Sequence, residues 1–369
     1  MVSFIPQEGG LSNLFPFRNF ISVISVVVVA GVGFLVNSPG CKTSVIGPDR
    51  LLSDTTSHNF VWRIDTLGDG NASELHDALI FSRDNIWVVG ELYSKDSTGS
   101  FVYPPYNCAM WDGLKWKLDR VSVNYLGNEI TPPLRRAFAF SSSDIWVTTE
   151  GFPMHWDGSS WQLYQLQDMG FNVSVTEIWG TSSSDIYFGG LNGSLIHYDG
   201  TSWVPINSGV SEDIEDIFGN SGEILALASN APLYPPSRTL LKIAEDHSVT
   251  VVPDSGLALT VQSLFFVSNN EYLVVGSGLF KVSKLGQIWK DEASFVSNYL
   301  SRIRGKGTND IAVVGSFGFV GHYNGSSWAT FPSLPSFPSS YLGVEFASNT
   351  IVAVGVLENG RAIVSVGNR

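Results

Sequence analysis

The stretch Thr176–Pro205, TEIWGTSSSDIYFGGLNGSLIHYDGTSWVP, decides the fold. Thr176–Gly180 reads as a short apolar strand, Ser182–Ser184 as a turn, and Ile186–Gly189 as a β-branched and aromatic strand. Asn192-Gly193 is a hairpin signal, Ser194–Tyr198 a third strand, Asp199-Gly200 a second tight turn, and Trp203 opens a fourth strand. Asn-Gly and Asp-Gly tolerate the positive φ angles that short hairpins demand, so the turn spacing specifies a four-stranded meander. A lone meander cannot bury both faces, and copies have to pack on one another.

The copies are present. Equivalent second-strand positions fall at Ile86, Ile145, Ile186, Ile224, Tyr272, Ile311 and Ile351, in steps of 59, 41, 38, 48, 39 and 40 residues. A period near 40 with four strands per unit is the spacing of β-propeller blades. The two long steps contain a Tyr/Pro-rich stretch, Tyr103–Tyr106, and a loop around Tyr234-Pro235-Pro236. An Asp-Gly-x-x-Trp punctuation recurs at Asp112–Trp116, Asp157–Trp161 and Asp199–Trp203, with Asn324–Trp328 as a variant. The expected fold is therefore all-β, a seven-bladed propeller with four-stranded blades over residues 59–369. Its last repeat supplies only Val344–Phe346, Ile351–Gly355 and Ala362–Val366, three strands, whereas Phe60–Ile64 belongs to no preceding unit. The N-terminal strand is expected to complete the last blade, closing the ring and removing a sheet edge that invites aggregation.

The pattern IWG-x-SSSDI-[WY]…G-x-L-x-HYDG-x-SW resembles the repeat of bacterial secreted and surface propeller proteins built on a "WG…SDVWAVG…HYDG..W" unit. Trp179-Gly180, Ser184–Tyr187 and His197–Gly200 with Trp203 carry it. Ser143–Trp146 with His155–Gly158 and Trp161 form a second copy, and Asn309–Ile311 with His322–Gly325 and Trp328 a third. The Asp-Gly-x-x-Trp turn also resembles the Asp-box of sialidases, which spaces Asp and Gly one residue further apart. The resemblance covers residues 59–369 and implies architecture; folds host many activities, so it does not select a function.

Residues 1–58 differ in character. Phe20–Val36 is an uncharged apolar run of 17 residues after Arg18, followed by Asn37-Ser38-Pro39-Gly40-Cys41. As a helix it reaches roughly 26 Å, at the short end for a membrane crossing. The arrangement resembles a bacterial lipoprotein signal, which implies lipidation of Cys41, although Ser38 and Pro39 stand where that signal carries a Leu-like and a small residue. An uncleaved anchor and an ordinary secretory signal are the other two readings, and all three export the propeller to the cell envelope. Residues 42–58 then read as a flexible tether.

The chain carries 44% hydrophobic and 15% charged residues, with 37 Gly and 11 Trp, a turn-rich all-β profile with ample core. A net charge of −13 leaves no basic surplus for phosphates, so nucleic acid is not an expected partner and the membrane is contacted only through the anchor. Cys108 reads as a small buried hydrophobe. Asn71, Asn172, Asn192 and Asn324 head N-glycosylation sequons, which read as turn residues in a bacterial lipoprotein. There is no HExxH, CxxC, phosphate-cradling Gly loop or nucleophile elbow. No catalytic residue, metal or cofactor is indicated. His155, His197 and His322 recur in register before the Asp-Gly turn, which marks them as scaffold, as does the recurrence of Asp144, Asp185 and Asp310 in the first-to-second-strand turn. Asp112, Asp157 and Asp199 are expected to cap turns by bonding backbone N–H groups, and Trp116, Trp161, Trp203 and Trp328 to seal blade packing with their indole N–H on a carbonyl or water.

Two sets of residues remain as candidate binding sites. Aligned first strands put Asp77, Arg136, Glu177, Asp216, Ser263, Arg302 and Leu342 in one column lining the channel. These polar groups either neutralise one another or converge on a ligand in a funnel. Arg136, Arg302 and Arg304 match a sialidase in number, but two of them share a blade. The second set is Tyr103 and Tyr106 in the insertion 93–108, with Tyr234 in 231–238, Tyr/Pro-rich loops of the kind that build binding faces. The expectation is a non-catalytic module binding protein or glycan at the loop face. A polysaccharide hydrolase or lyase working in the funnel, and a structural part of an envelope complex, are the alternatives.

Overall fold

The computed structural model describes residues 55–220, 222–230, 235–268, 271–292, 298–335 and 339–369. These residues form seven four-stranded antiparallel sheets, the seven blades of a β-propeller, and one two-stranded hairpin. Blade 1 spans 74–119, blade 2 136–163, blade 3 175–205, blade 4 213–252, blade 5 261–291 and blade 6 300–330. Blade 7 takes Ser339–Ala347, Thr350–Leu357 and Ala362–Asn368, and its fourth strand is Val61–Leu67 from the other end of the chain. Seven consecutive pairs, Val61↔Asn368 to Leu67↔Ala362, close the ring. The expected closure holds, with the closing strand three residues further along than Phe60–Ile64 at its C-terminal end.

The ruler positions are equivalent in space. Ile86, Ile145, Ile186, Ile311 and Ile351 are fully buried, and Ile224 and Tyr272 nearly so. Each projects into an apolar cluster; Leu75, Ile86, Val88, Val352 and Val364, for instance, join blade 1 to blade 7. Alternation makes this possible, because every second side chain of a strand faces the same neighbouring blade.

The Asp-Gly turn works as expected. Asp112 Oδ1 accepts from the N–H of Leu114 and Lys115, both at 2.9 Å; Asp157 and Asp199 do the same at 2.7–2.9 Å, and Asn324 at 2.9–3.0 Å. The following Gly113, Gly158, Gly200 and Gly325 all sit at φ of 92° or 93°, where a side chain is strained. The acids that open the second strands act differently from a turn cap. Asp144, Asp185 and Asp310 accept from the third-strand His155, His197 and His322 at 2.8, 2.9 and 3.1 Å. In blades 4 and 5 the same places hold Lys242–Glu223 at 2.6 Å and Lys281–Glu271 at 2.8 Å. Five blades thus strap strand three to the start of strand two with a base and an acid.

Trp116 corrects another expectation: its indole N–H donates to a carboxylate, Asp65 on the closing strand, at 2.8 Å. That bond ties blade 1 to blade 7 across the seam. Thr56, Ser57 and His58, assigned to the tether, are held against blade 6. The Thr56 hydroxyl donates to Asn309 O and Asp310, each at 2.7 Å, and the His58 and His322 Nδ1 atoms lie 2.8 Å apart.

Antiparallel blades give the ring two unlike faces. The first-to-second and third-to-fourth turns, with their Asp-Gly motifs, lie on one face. The second-to-third loops and the connections between blades lie on the other, the loop face, where each first strand begins. Residues 93–105 of blade 1, and Asn230 and 235–237 of blade 4, belong to the loop face. So does the hairpin Val123–Tyr125/Asn128–Ile130 between blades 1 and 2, which shares with 93–105 the extra length of the first repeat.

Candidate functional site

The channel ring lies where strand alignment puts it, but it is not an open funnel. Each of the first strands except that of blade 2 carries a bulge near its start, at 75/77, 175/177, 214/216, 261/263, 300/302 and 341/343. The column just past the bulge is Asp77, Arg136, Glu177, Asp216, Ser263, Arg302 and, in blade 7, Gly343. The seventh member is thus not Leu342, which is itself the bulged residue. A Cβ at Gly343 would meet the His76 carbonyl at 2.2 Å, so blades 1 and 7 approach too closely there for a side chain.

The charged side chains of this column pair largely with one another. Arg302 of blade 6 reaches Glu177 of blade 3 at 3.0 Å and Asp216 of blade 4 at 3.2 Å, spanning the channel. Arg136 reaches Glu177 at 2.9 Å, and Arg304 forks onto Asp216 at 2.8 and 3.0 Å. Arg302 is 2% exposed and Asp216 1%. Burial opposes ionisation of Asp216, but the Arg302 and Arg304 guanidiniums outweigh it and hold the carboxyl below its usual range. The same acids stitch neighbouring blades: Asp77 accepts the Ala137 N–H at 3.2 Å, Asp216 the Leu264 N–H at 3.0 Å, and Ser263 the Ile303 N–H at 3.3 Å. Each of these N–H groups lies one residue past the column position of the next blade. Arg136, Glu177, Asp216 and Arg302 are therefore an ion-paired axle, buried except for the partly exposed Arg136, and Asp77 is buried beside them on backbone N–H groups. Among the described residues no group of three metal-ligating side chains occurs.

The half-exposed residues of the channel sit one position earlier. His76, Thr176, Glu215, Gln262, Ser301 and Leu342 are the bulged residues, each partly exposed between buried neighbours, and the partly exposed Arg135 holds the same place in blade 2. Two pairs of them bond around the mouth on the loop face. Arg135 Nη1 and His76 Nε2 are 2.6 Å apart, Arg135 lies 3.6 Å from Glu74, and it also bonds Glu150. Gln262 Nε2 donates to Glu215 at 2.6 Å, and the Tyr299 hydroxyl donates to Gln262 Oε1 at 2.8 Å. Burial, then the nearby Glu177 charge, pushes the Glu215 carboxyl up to about 8. Sequence alignment missed this ring, because only pairing partners reveal which residue of two is bulged.

On the rim of the same face, residues 93–105 form a braced loop. The Asp96 carboxylate caps its tip by accepting from the N–H of Thr98 and Ser100, at 2.8 and 3.1 Å, and Asp69 accepts the Lys95 N–H at 2.8 Å. Tyr103 projects outward, 67% exposed. Tyr106 is not a loop residue but the first of the strand Tyr106–Trp111; Arg120 stacks on its ring at 4.0 Å and donates to the Pro104 carbonyl at 2.7 and 2.9 Å. The neighbouring hairpin tip exposes Leu126 to 79%. Tyr234 and Cys41 lie outside the described residues. Between blades 2 and 3 the loop face also holds a cleft of about 250 Å³, lined by Gln167, Asn172, Asn192, Ser174 and Ser194. Cys108 is buried, and its surroundings push the thiol up to about 12.

No protein-family model and no curated protein sequence matches the chain. Solved structures match its fold. A structure described as "YCF48 bound to D1 peptide" superposes with a TM-score of 0.59 at 14% identity, covering 84% of this chain and 98% of that one. YCF48 from Cyanidioschyzon merolae superposes at 0.57 and 11% identity over 82% and 98%. A streptogramin B lyase superposes at 0.58 and 11% identity over 83% and 98%. At these identities the likeness is one of fold: the chain is a seven-bladed β-propeller.

Proposed function

We propose that this chain is a non-catalytic binding module that captures a protein partner on the loop face of its propeller, exported and held at the cell envelope by its N-terminal segment. The observation that carries the reading is the rigid apolar rim of that face. Tyr103 is offered outward on a loop pinned by Asp96, Asp69 and Arg120, and Leu126 is exposed on the hairpin between blades 1 and 2, on the same face. An aromatic ring on a preorganised loop gives contact area with little ordering cost on binding. The structural neighbour YCF48, described with a bound D1 peptide, supports a peptide-binding use of a propeller of this size. Export and anchoring are supported by the apolar run Phe20–Val36 and by Cys41.

A glycan partner is favoured by one observation, the uncharged cleft where the carboxamides of Gln167, Asn172 and Asn192 meet two serine hydroxyls. A hydrolase or lyase working in the channel requires Glu177 and Asp216 to leave their arginines, against the bonds they make. The test is capture of envelope proteins and of arrayed glycans by the full chain and by a variant with 95–104 cut to a short Gly-Ser turn and Leu126→Ser. Protein capture that disappears in the variant, at unchanged melting temperature, is the expected result. Undiminished capture by the variant overturns the reading, and glycan capture without protein capture transfers it to the cleft.

A further inference from the structure

The mouth of the channel holds one acid that the protein leaves without a counter-ion. Glu215 is the bulged residue of its strand, and a bulge re-aims a side chain out of the regular alternation. Its Oε2 accepts from Gln262, whose own carboxamide is oriented by the Tyr299 hydroxyl. Oε1 accepts from no described residue, and no Lys, Arg or His among them pairs with this carboxyl. Of the other acids near the axis, Glu177 is matched by Arg136 and Arg302, Asp216 by Arg302 and Arg304, and Glu74 by His76 and Arg135; Asp77 accepts backbone N–H groups, and Glu345, two residues past Gly343 on the first strand of blade 7, is pushed up to about 7 by burial and then by the Asp77 charge. The rest of the mouth is also short of positive charge. Arg135 serves both Glu74 and Glu150, burial holds His76 below its usual range and therefore neutral at pH 7, and Asp213 lies on the Glu215 strand.

An oriented carboxyl on a partly exposed residue, with one oxygen that accepts from no described residue and no base ion-paired to it, is placed to receive a donor from outside. We propose that the channel mouth is a socket for a basic side chain, the ammonium of a lysine or the guanidinium of an arginine on a partner protein, with Glu215 as its counter-ion. The proposal rests on the loop-face binding reading and names the chemistry at its centre: the apolar rim holds the partner's backbone segment, and the mouth takes its cation. Gln262 and Tyr299 fix the carboxyl in place, so little ordering is required when the cation arrives. A cation entering the socket also ionises an acid that is otherwise largely protonated at neutral pH. The groups facing that acid are Glu177 and Arg136 from blades 3 and 2, Tyr299 before blade 6, Asp213 on its own strand, and the Asp216–Arg302–Arg304 axle below. Each is paired with or held by another group, Glu177 by Arg136 and Arg302 and Asp213 by the Asn192 N–H at 2.7 Å, and none of them forms an ion pair with Glu215.

The experiment uses the full chain and an array of random peptides to select ligands, then resynthesises the best of them with lysine, arginine, norleucine or glutamate at each basic position. The expected result is at least a tenfold loss of affinity at one basic position on replacement by norleucine. The same loss should be absent in Glu215→Gln, which keeps the bond to Gln262 and removes only the charge. Affinity of the wild-type protein for the lysine peptide should rise from pH 6 to pH 8.5 and stay flat in Glu215→Gln. A lysine preference undiminished in Glu215→Gln overturns the proposal and assigns the charge effect to the acidic face in general. Peptides selected with no basic preference overturn it while leaving the binding module intact, and selection of no peptide overturns both. Glu215→Asp, shorter by one methylene, should keep the pH dependence at reduced affinity if the variant with Gln is silent for reasons of folding.

Discussion

The axle makes a prediction that separates a structural ring from a ligand funnel. In Asp216→Asn the amide keeps the size and one acceptor of the acid but loses its charge. Arg304 then loses a forked ion pair and Arg302 one of its two carboxylates, inside a channel where both acid and bases are nearly inaccessible. The axis sets Asp77, Glu177 and Asp216 against Arg136, Arg302 and Arg304, with the Glu345 carboxyl pushed up to about 7 by burial, so the variant leaves buried positive charge under-compensated. Breaking one member of such a pair costs about 3–5 kcal/mol. In a domain of this size each kcal/mol moves the melting temperature by roughly 2 °C, giving a fall of about 6–10 °C. The assay is calorimetry at a fixed scan rate on the wild type, Asp216→Asn, Arg302→Met and the double variant. Removing both partners relieves the imbalance, so the double variant should melt above the sum of the single losses, with a coupling of about 1–3 kcal/mol. A single variant that melts within 1 °C of wild type would refute the account, and would return Asp216 to the status of a free acid waiting for a ligand.

Two further outcomes follow from the seam and the straps. His322 is fully buried, its Nε2 on Asp310 and its Nδ1 facing His58, and burial lowers it to about 4 from its ordinary value near 6.5. The folded state therefore binds fewer protons than the unfolded one. The bond network is at full strength above pH 6.5, and up to about 3 kcal/mol is lost as pH falls from 6.5 to 4; a melting curve against pH that stays as steep in His322→Asn as in wild type counts against this. Deleting Val61–Leu67 exposes the full edge of Ala362–Asn368 and also removes Asp65 from Trp116. Light scattering should show association of the deleted chain, and a monomer with unaltered melting would contradict the seam.

The ring was legible because its signals are local and repeated. An Ile every 40 residues or so, a Gly forced to φ near 92°, and an Asp two or three residues before the N–H groups it caps all lie within one repeat. The closing strand was legible from arithmetic, one strand too few at one end and one too many at the other. What escaped has no repeat to announce it. The hairpin around Leu126-Gly127 occurs in one connection alone. The start of the strand at Tyr106 is hidden behind Pro104-Pro105, and the docking of Thr56 and His58 on blade 6 joins residues more than 250 positions apart. The sequence marks Asp144, Asp185 and Asp310 as scaffold without naming their partners, and only the strand pairing shows that a third-strand His is within reach.

The bulges explain why the axle was found and the mouth was not. Regular alternation sends adjacent side chains to opposite faces of a blade, but a bulge inserts a residue that belongs to neither set. Two neighbours of the same chemical type can then do unrelated work. In blade 2, whose first strand carries no bulge there, alternation alone sends Arg136 to Glu177 and leaves Arg135 at the mouth between Glu74 and Glu150. Asp216 is kept ionised by two arginines, whereas Glu215, one residue away and ion-paired to none, is pushed up to about 8 by burial and then by the Glu177 charge. In a linear sequence Arg135-Arg136 and Glu215-Asp216 are doublets of like charge with nothing to rank one member above the other. One residue of register decides which member holds the blades together and which is left facing a partner, and that residue is visible only from the strand across from it.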